Sequence, residues 1–323
     1  LPNFFCQYND ALLPLYRRLI ERIRAVDPNH MFMLEGAHWA TDFSVLDGMS
    51  RAEAAENIAL QFHRYWSAPD EESLEGYRQA ASRLDVPLYL GESGENNLEW
   101  YTAMFPLCER LNIGWSFWSY KKMACENSPV TFARPAGWDA LMEHIRSGAA
   151  MPKEKAQRIF DEFLSCISTP IFNNRVIGAL TRTPPFALPC EAFDESRILS
   201  ERIPGAKLRL REKASLIFCD GHSGEPDYRR LKGEAQPQSE NIVVRLYQDD
   251  EIRFFVRTIS APTCVRFWVF GDGLSEVRCN DALLTCKREA EGVYGFRMNG
   301  IGENVLAVRC TEKSVDADFL EFI

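Results

Sequence analysis

The chain has 323 residues, a length that suits about two domains. It carries 46 acidic against 37 basic residues, a formal charge of −9, and no Lys/Arg stripe, which argues against nucleic acid and anionic membrane as partners and leaves a neutral substrate as the better fit. No apolar run approaches the ~18 residues of a membrane span. The ten cysteines form no C-x-x-C pair, so zinc and thioredoxin-like chemistry are not indicated; free buried thiols are the default, and neither a metal nor a cofactor is expected.

Residues 1–150 alternate between two patterns. Leu12, Tyr16, Leu19, Ile20 and Ile23 sit at helical spacing, and Asp27-Pro28-Asn29 ends that helix. HMFMLEG (30–36) is a short continuous apolar run of the kind a strand buried on both faces shows. NIALQFHRYW (57–66) is a second strand. A helix follows over 71–84, with Leu74, Tyr77, Ala81 and Leu84 on one face. VPLYLGE (86–92) is a third strand, and a helix from about Leu98 to Leu111 carries Tyr101, Met104, Phe105 and Cys108 as its apolar stripe. IGWSFWSYKK (113–122) is the fourth strand. The starts near Met31, Ile58, Leu88 and Ile113 lie 27, 30 and 25 residues apart, an interval that fits one strand, one helix and two loops. Repeated β-α units imply a parallel sheet, either open and doubly wound or part of a (β/α)8 barrel.

No strand is followed by a Gly-rich phosphate loop, which weakens the nucleotide-binding alternative. Each strand instead ends in polar and aromatic residues: Glu35 and Trp39; His63, Tyr65 and Trp66; Glu92; Trp118, Tyr120 and Lys121. Function at the C-terminal ends of successive strands is the barrel habit, yet a barrel needs eight strands and only four are visible. Two further helices follow, in AGWDALMEHIRSG (136–148) and KEKAQRIFDEFLSCI (153–167). TRTPPFALP (181–189) is a Pro-rich break that fits a linker or an extended edge segment. Beyond it, NIVVRLY, EIRFFVR, TCVRFWVF, SEVRC and NVLAVRC alternate with turn signals, as in an antiparallel sandwich of jelly-roll type.

Strand-end residues of a parallel barrel converge on one mouth. A carboxylate, an imidazole, a phenol and indole faces gathered there suit sugar chemistry. Aromatic faces stack on sugar rings, and in a retaining glycosidase one ionised carboxylate attacks the anomeric carbon while a second, ~5 Å away, gives and takes a proton. Glu92 is the candidate attacker, and a Tyr or His hydrogen bond would hold it ionised and aimed. Taken singly, each residue also fits a structural role: Glu92 in a polar loop, His63 as a satisfied buried imidazole, Trp118, Trp39 and Trp66 as packing, Glu35 as a turn or ion-pair residue. Their joint placement at four consecutive strand ends favours the functional reading.

In MLEGAHWATDF, FHRYW, PLYLGESGEN and IGWSFWSYKK, in that order and spacing, residues 1 to about 150 resemble the C-terminal half of the catalytic barrel of glycoside hydrolase family 5, the cellulase family. The resemblance implies Glu92 as nucleophile on the seventh barrel strand, His63 and Tyr65 as the site-lining pair with Tyr65 contacting the nucleophile, and Trp118 as the sugar platform on the eighth. Trp39, Lys121 and Asn96 are implied less directly as substrate contacts. The family's acid/base glutamate belongs to an Asn-Glu-Pro motif on an earlier strand that this sequence lacks. The chain is therefore expected to be a truncated product, inactive as it stands, with one catalytic carboxylate of two. Glu35 and Glu95 are weak substitutes, Glu95 being too close to Glu92 in sequence.

LPCEAFD, DYRR and DADFLEFI give the rest of the chain a fainter resemblance to carbohydrate-binding modules of families 6 and 35. The expected fold is thus α/β, a partial (β/α)8 TIM barrel (strands 5–8, residues 1–180), a linker (181–189) and an all-β jelly-roll-like sandwich (190–323). The expected function is retaining hydrolysis of a β-linked glycan, endo-β-1,4-glucanase type; the alternative is a non-catalytic carbohydrate-binding protein. The glycan, endo or exo action, oligomeric state and location stay open, between an exported protein by resemblance and a cytoplasmic one by its free cysteines.

Overall fold

The computed structural model describes residues 6–55, 57–271 and 275–323. Its first unit is a parallel sheet in the order β1 (Phe32–Glu35), β2 (Ile58–His63), β3 (Leu88–Glu92), β4 (Gly114–Trp115). The helices between the strands follow from local signals. Helix Glu71–Leu84 starts where the Asp70 carboxylate accepts from Ser73 N at 2.9 Å, and buries the expected Leu74, Tyr77, Ala81 and Leu84. Its first turn carries Glu71 and Glu72 and its last Arg83, matching the helix dipole. Helix Leu98–Arg110 is capped by Asn97, which accepts from Trp100 N at 3.0 Å.

Two expectations need correcting in this unit. β1 is not buried on both faces: it pairs with β2 alone among the described residues, and Met33 is exposed. The fourth strand is only two residues long in the sheet. After Ser116 the chain leaves β3, and β5 (Lys121–Met123) joins a separate small sheet with β6 (Val130–Phe132) and β7 (Ile171–Phe172). Helices Trp138–Ser147, Lys153–Ile167 and Asn174–Thr181 complete this region.

The second unit contains β8 (Phe186–Pro189), β9 (Glu195–Arg197), β10 (Ser215–Phe218), β11 (Ile242–Tyr247), β12 (Glu251–Thr258), β13 (Thr263–Phe270), β14 (Ser275–Cys279), β15 (Ala282–Leu283), β16 (Lys287–Ala290), β17 (Val293–Met298), β18 (Gly302–Cys310) and β19 (Ser314–Phe322). One antiparallel sheet runs β10-β11-β19-β13-β17-β16, with β8 also on β19; the other runs β15-β14-β18-β12-β9. Alternate residues of both sheets, among them Phe254, Phe267, Leu306, Val308, Leu320 and Phe322, share one core, which makes the unit a β-sandwich.

Residues 181–189 are built into this architecture. Phe186–Pro189 pairs with the last strand, and Arg182 is buried. Arg182 pairs with Asp194 and donates to the carbonyls of Thr102 (2.9 Å) and Ala192 (2.9 Å), so it bonds both units at once. Helix Leu98–Arg110 is wedged between them: Trp100, Tyr101 and Phe105 pack in the first core, Ala103 in the second. That two-sided burial replaces the single apolar stripe expected. All ten cysteines are free, but only Cys108, Cys190, Cys279 and Cys310 are buried; Cys6, Cys219 and Cys264 are exposed. No described helix is long and apolar enough to cross a membrane.

Candidate active site

The strand ends of β1, β2 and β3 bring three of the expected residues into one cluster. The register of β2 on β3 shifts between Phe62↔Leu90 and His63↔Glu92, so Gly91 is an extra residue and Glu92 is turned beside His63. Glycine here leaves room for a neighbour: a Cβ on residue 91 would lie 2.1 Å from Cδ of Gln61 and would displace the side chain that crosses that position to donate to Glu35.

Tyr65 donates its hydroxyl hydrogen to Glu92 Oε2 at 3.1 Å. Burial, reinforced by the Glu92 charge, pushes the Tyr65 hydroxyl well above its usual value, so it stays a donor across the working pH range. His63 Nδ1 lies 3.4 Å from the same Glu92 oxygen and its Nε2 3.7 Å from Glu35 Oε1. The Gln61 amide nitrogen, fixed as a donor by the Glu35 carboxylate, lies 3.4 Å from His63 Nε2. In a neutral imidazole that network assigns the proton to Nδ1, facing Glu92. Gln61 was absent from the sequence reading. Its signal was there: on β2 it shares a face with His63, two residues on.

Beyond Glu92, Ser93 O accepts from Trp118 N at 2.8 Å, and a Cβ on Gly94 would lie 2.4 Å from Trp118 O. This close backbone approach sets Trp118, 48% exposed, beside the strand-end loop. The Trp118–Ser119 peptide is cis. Trp39 is 61% exposed on a turn in which His38, Trp39 and Ala40 all adopt left-handed backbone (φ 52°, 54°, 59°). Three successive non-glycine residues there cost roughly 1–2 kcal/mol each. Hydrogen bonds between Ala37 and Asp42, at 2.9 and 3.0 Å, clamp the turn. Trp66 donates to Glu95 O at 3.0 Å, and Lys122 pairs with Glu95 at 2.7 Å, which ties down the loop after Glu92.

Two expected contacts lie elsewhere. Lys121 donates to the Ile167 carbonyl and sits over the Phe132 ring, on the small sheet. Asn96 is fully buried: its side chain donates to Tyr228 O at 2.8 Å and accepts from Asn97 N. The Lys121–Ile167 and Asn96–Tyr228 bonds are long-range, and local sequence carries no sign of them. Among the described residues, no group of three or more His, Cys, Asp or Glu is placed to hold a metal.

Residues 6–124 match the family model of the cellulases, glycosyl hydrolase family 5. A mannan endo-1,4-β-mannosidase of Cellvibrio japonicus is 22% identical over 116 residues, which are 33% of this chain and 27% of that protein, so the match spans about a quarter of the relative's length. Among solved structures, the mannanase catalytic domain of Streptomyces sp. SirexAA-E aligns at 21% identity over 36% of this chain and 40% of its own, with a TM-score of 0.30. The endoglucanase catalytic domain of Thermobifida fusca aligns at 24% identity over 34% and 40%, with a TM-score of 0.27. CsCBM6-3 of Clostridium stercorarium, in complex with cellobiose, aligns at 11% identity over 44% of this chain and 95% of its own, with a TM-score of 0.30. Over residues 6–124, then, the chain is similar to the cellulases of glycosyl hydrolase family 5.

Proposed function

We propose that this chain carries the nucleophile-bearing part of a retaining glycoside hydrolase acting on a β-1,4-linked glycan, with Glu92 as nucleophile. The observation that carries the reading is the Glu92 carboxylate at the end of β3, bonded by Tyr65 and flanked by His63. In the first step Glu92 forms a bond to the anomeric carbon, and the bond to the leaving oxygen breaks as a separate acid protonates it. In the second, water displaces Glu92 and gives its proton to the base so formed. Tyr65 and His63 hold the attacking oxygen in position. Trp118 and Trp39 offer exposed indole faces to sugar rings.

Glu35 is a poor choice for the second carboxylate. It is tethered to Gln61 and meets Glu92 only through His63, on the same side of the site. The acid/base then comes from outside this cluster. Lys121 and Asn96 are committed to other partners and play no part in this account.

The test is Glu92→Ala, assayed on 2,4-dinitrophenyl β-cellobioside and β-mannobioside. Turnover falls by more than about a thousandfold, and added azide restores part of it by forming the α-glycosyl azide. Unchanged turnover removes Glu92 from the nucleophile role.

A further inference from the structure

A second polar site lies away from Glu92, in the seam between helix Leu98–Arg110 and the sandwich. There a cavity of about 280 Å³, the volume of roughly nine waters, is bounded by four carboxylate residues, Glu99, Glu191, Glu240 and Asp318. No Lys, Arg or His is among the described residues that line it. Two lining groups, Glu191 Oε2 and the Tyr228 hydroxyl, are sealed from solvent and have no hydrogen-bond partner. Orphaned buried polar atoms of this kind cost about 1–3 kcal/mol each when nothing meets them.

The local charges share one sign. Asp318 and Glu99 act on Glu191, while Glu191, Asp70 and Glu240 act on Tyr228. Arg209 opposes them, but its guanidinium is spent elsewhere: it donates to the carbonyls of Glu191 (3.0 Å) and Phe193 (2.6 Å) and to the Glu212 carboxylate. The remaining wall is largely apolar, with Pro69, Ala103, Leu208 and Phe319. A carboxylate-rich, mostly apolar pocket repels anions. A neutral sugar would leave its charges uncompensated, and among the described residues no three-ligand cluster offers to strip a metal ion of its water.

We propose that this cavity binds a small alkylammonium ion, whose charge meets Glu191 and Asp318, whose N–H groups supply the donors Glu191 lacks, and whose stem lies on the apolar wall. The titration behaviour supports this. Burial and the neighbouring Asp318 and Glu99 charges raise the Glu191 carboxyl to about 8, and burial raises Asp318 to about 6. At pH 7 Glu191 thus holds its proton, and an incoming cation must expel it. Affinity rises with pH up to about 8 and then levels.

The experiment is calorimetry on the full chain at pH 7 with n-butylammonium chloride. The neutral probes are n-butanol and glucose, and the runs are repeated in phosphate and HEPES, which differ in ionisation enthalpy. Butylammonium binds saturably with release of close to one proton, and the neutral probes do not bind. Glu191→Gln weakens binding at least about tenfold and removes the proton release; Asp318→Asn, a second and independent variant, also weakens it. Glu92→Gln leaves it unchanged. The proposal is overturned by absence of saturable binding, by equal binding of a neutral probe, by binding indifferent to both seam variants, or by loss of binding in Glu92→Gln.

Discussion

Two groups of carboxylates in this molecule are handled in opposite ways. At the mouth of the parallel sheet, Glu92 is 31% exposed on its side chain and receives Tyr65 O–H, with His63 alongside. In the seam, half-buried Glu191 has one oxygen, Oε2, sealed from solvent and unpartnered, with like charges for neighbours. A third arrangement, Arg182 with Asp194, is buried more completely than Glu191 yet fully met, by each other, by the Thr102 and Ala192 carbonyls and by Phe255 N at 2.7 Å. Depth of burial therefore does not decide what a carboxylate does here. The donors arranged around it do, and they come from bulges and seams that distant segments build.

Breaking the satisfied pair should have the largest effect on folding. Arg182→Ala strands Asp194 among carbonyl groups and should cost about 3–5 kcal/mol, read as a lower denaturant midpoint. It should uncouple the two units into separate transitions, because Arg182 bonds both; a single transition of unchanged midpoint would deny it that role.

Removing the unsatisfied carboxyl should act through pH. Glu191 is raised in the fold to about 8 from an ordinary 4.5, so its native form binds the proton more tightly. The stability it contributes is full below about pH 4.5 and is lost as pH rises through about 8, a change of a few kcal/mol. Glu191→Gln should flatten that slope in a Tm-against-pH series. A slope identical to the parent's would show that Glu191 is not the group responsible.

At the sheet mouth the effect should be on rate and not on stability. Tyr65→Phe keeps the ring and loses one charge-assisted hydrogen bond, which should lower kcat about ten- to a hundredfold while Tm barely moves. A fall in Tm with kcat intact would make Tyr65 a packing residue.

Much of the parallel unit was legible because its signals are local. Helix 71–84 has a cap, charged ends and a clean apolar spacing, and it forms over those residues. The grouping of Glu92 with His63 and Tyr65 follows from strand ends facing one way. The bulge at Gly91 was less visible, since a glycine before a strand-end glutamate also reads as an exit turn. What failed depended on distant partners. Pro184, Pro185 and Pro189 left 181–189 open between a linker and an extended edge segment, and only the pairing of β8 with β19, more than a hundred residues away, decides for the strand. Lys121 and Lys122 are equivalent by composition; only the turn into the small sheet sends Lys122 to Glu95 and Lys121 to Ile167. Asn96 looked like a mouth residue until Tyr228, 132 positions on, covered it. Strands 215–218 and 293–298 escaped notice because their apolar runs are short and set among turns.

The nucleophile assignment can be tested without any acid/base residue, because a dinitrophenolate leaves without protonation. The chain is incubated with 2,4-dinitrophenyl 2-deoxy-2-fluoro-β-cellobioside, whose fluorine slows breakdown of the covalent intermediate, and its peptides are weighed. One fluoroglycosyl group per chain, on Glu92 and absent from Glu92→Ala, is the predicted result. No label, or a label on Glu35 or any other residue, would contradict the account.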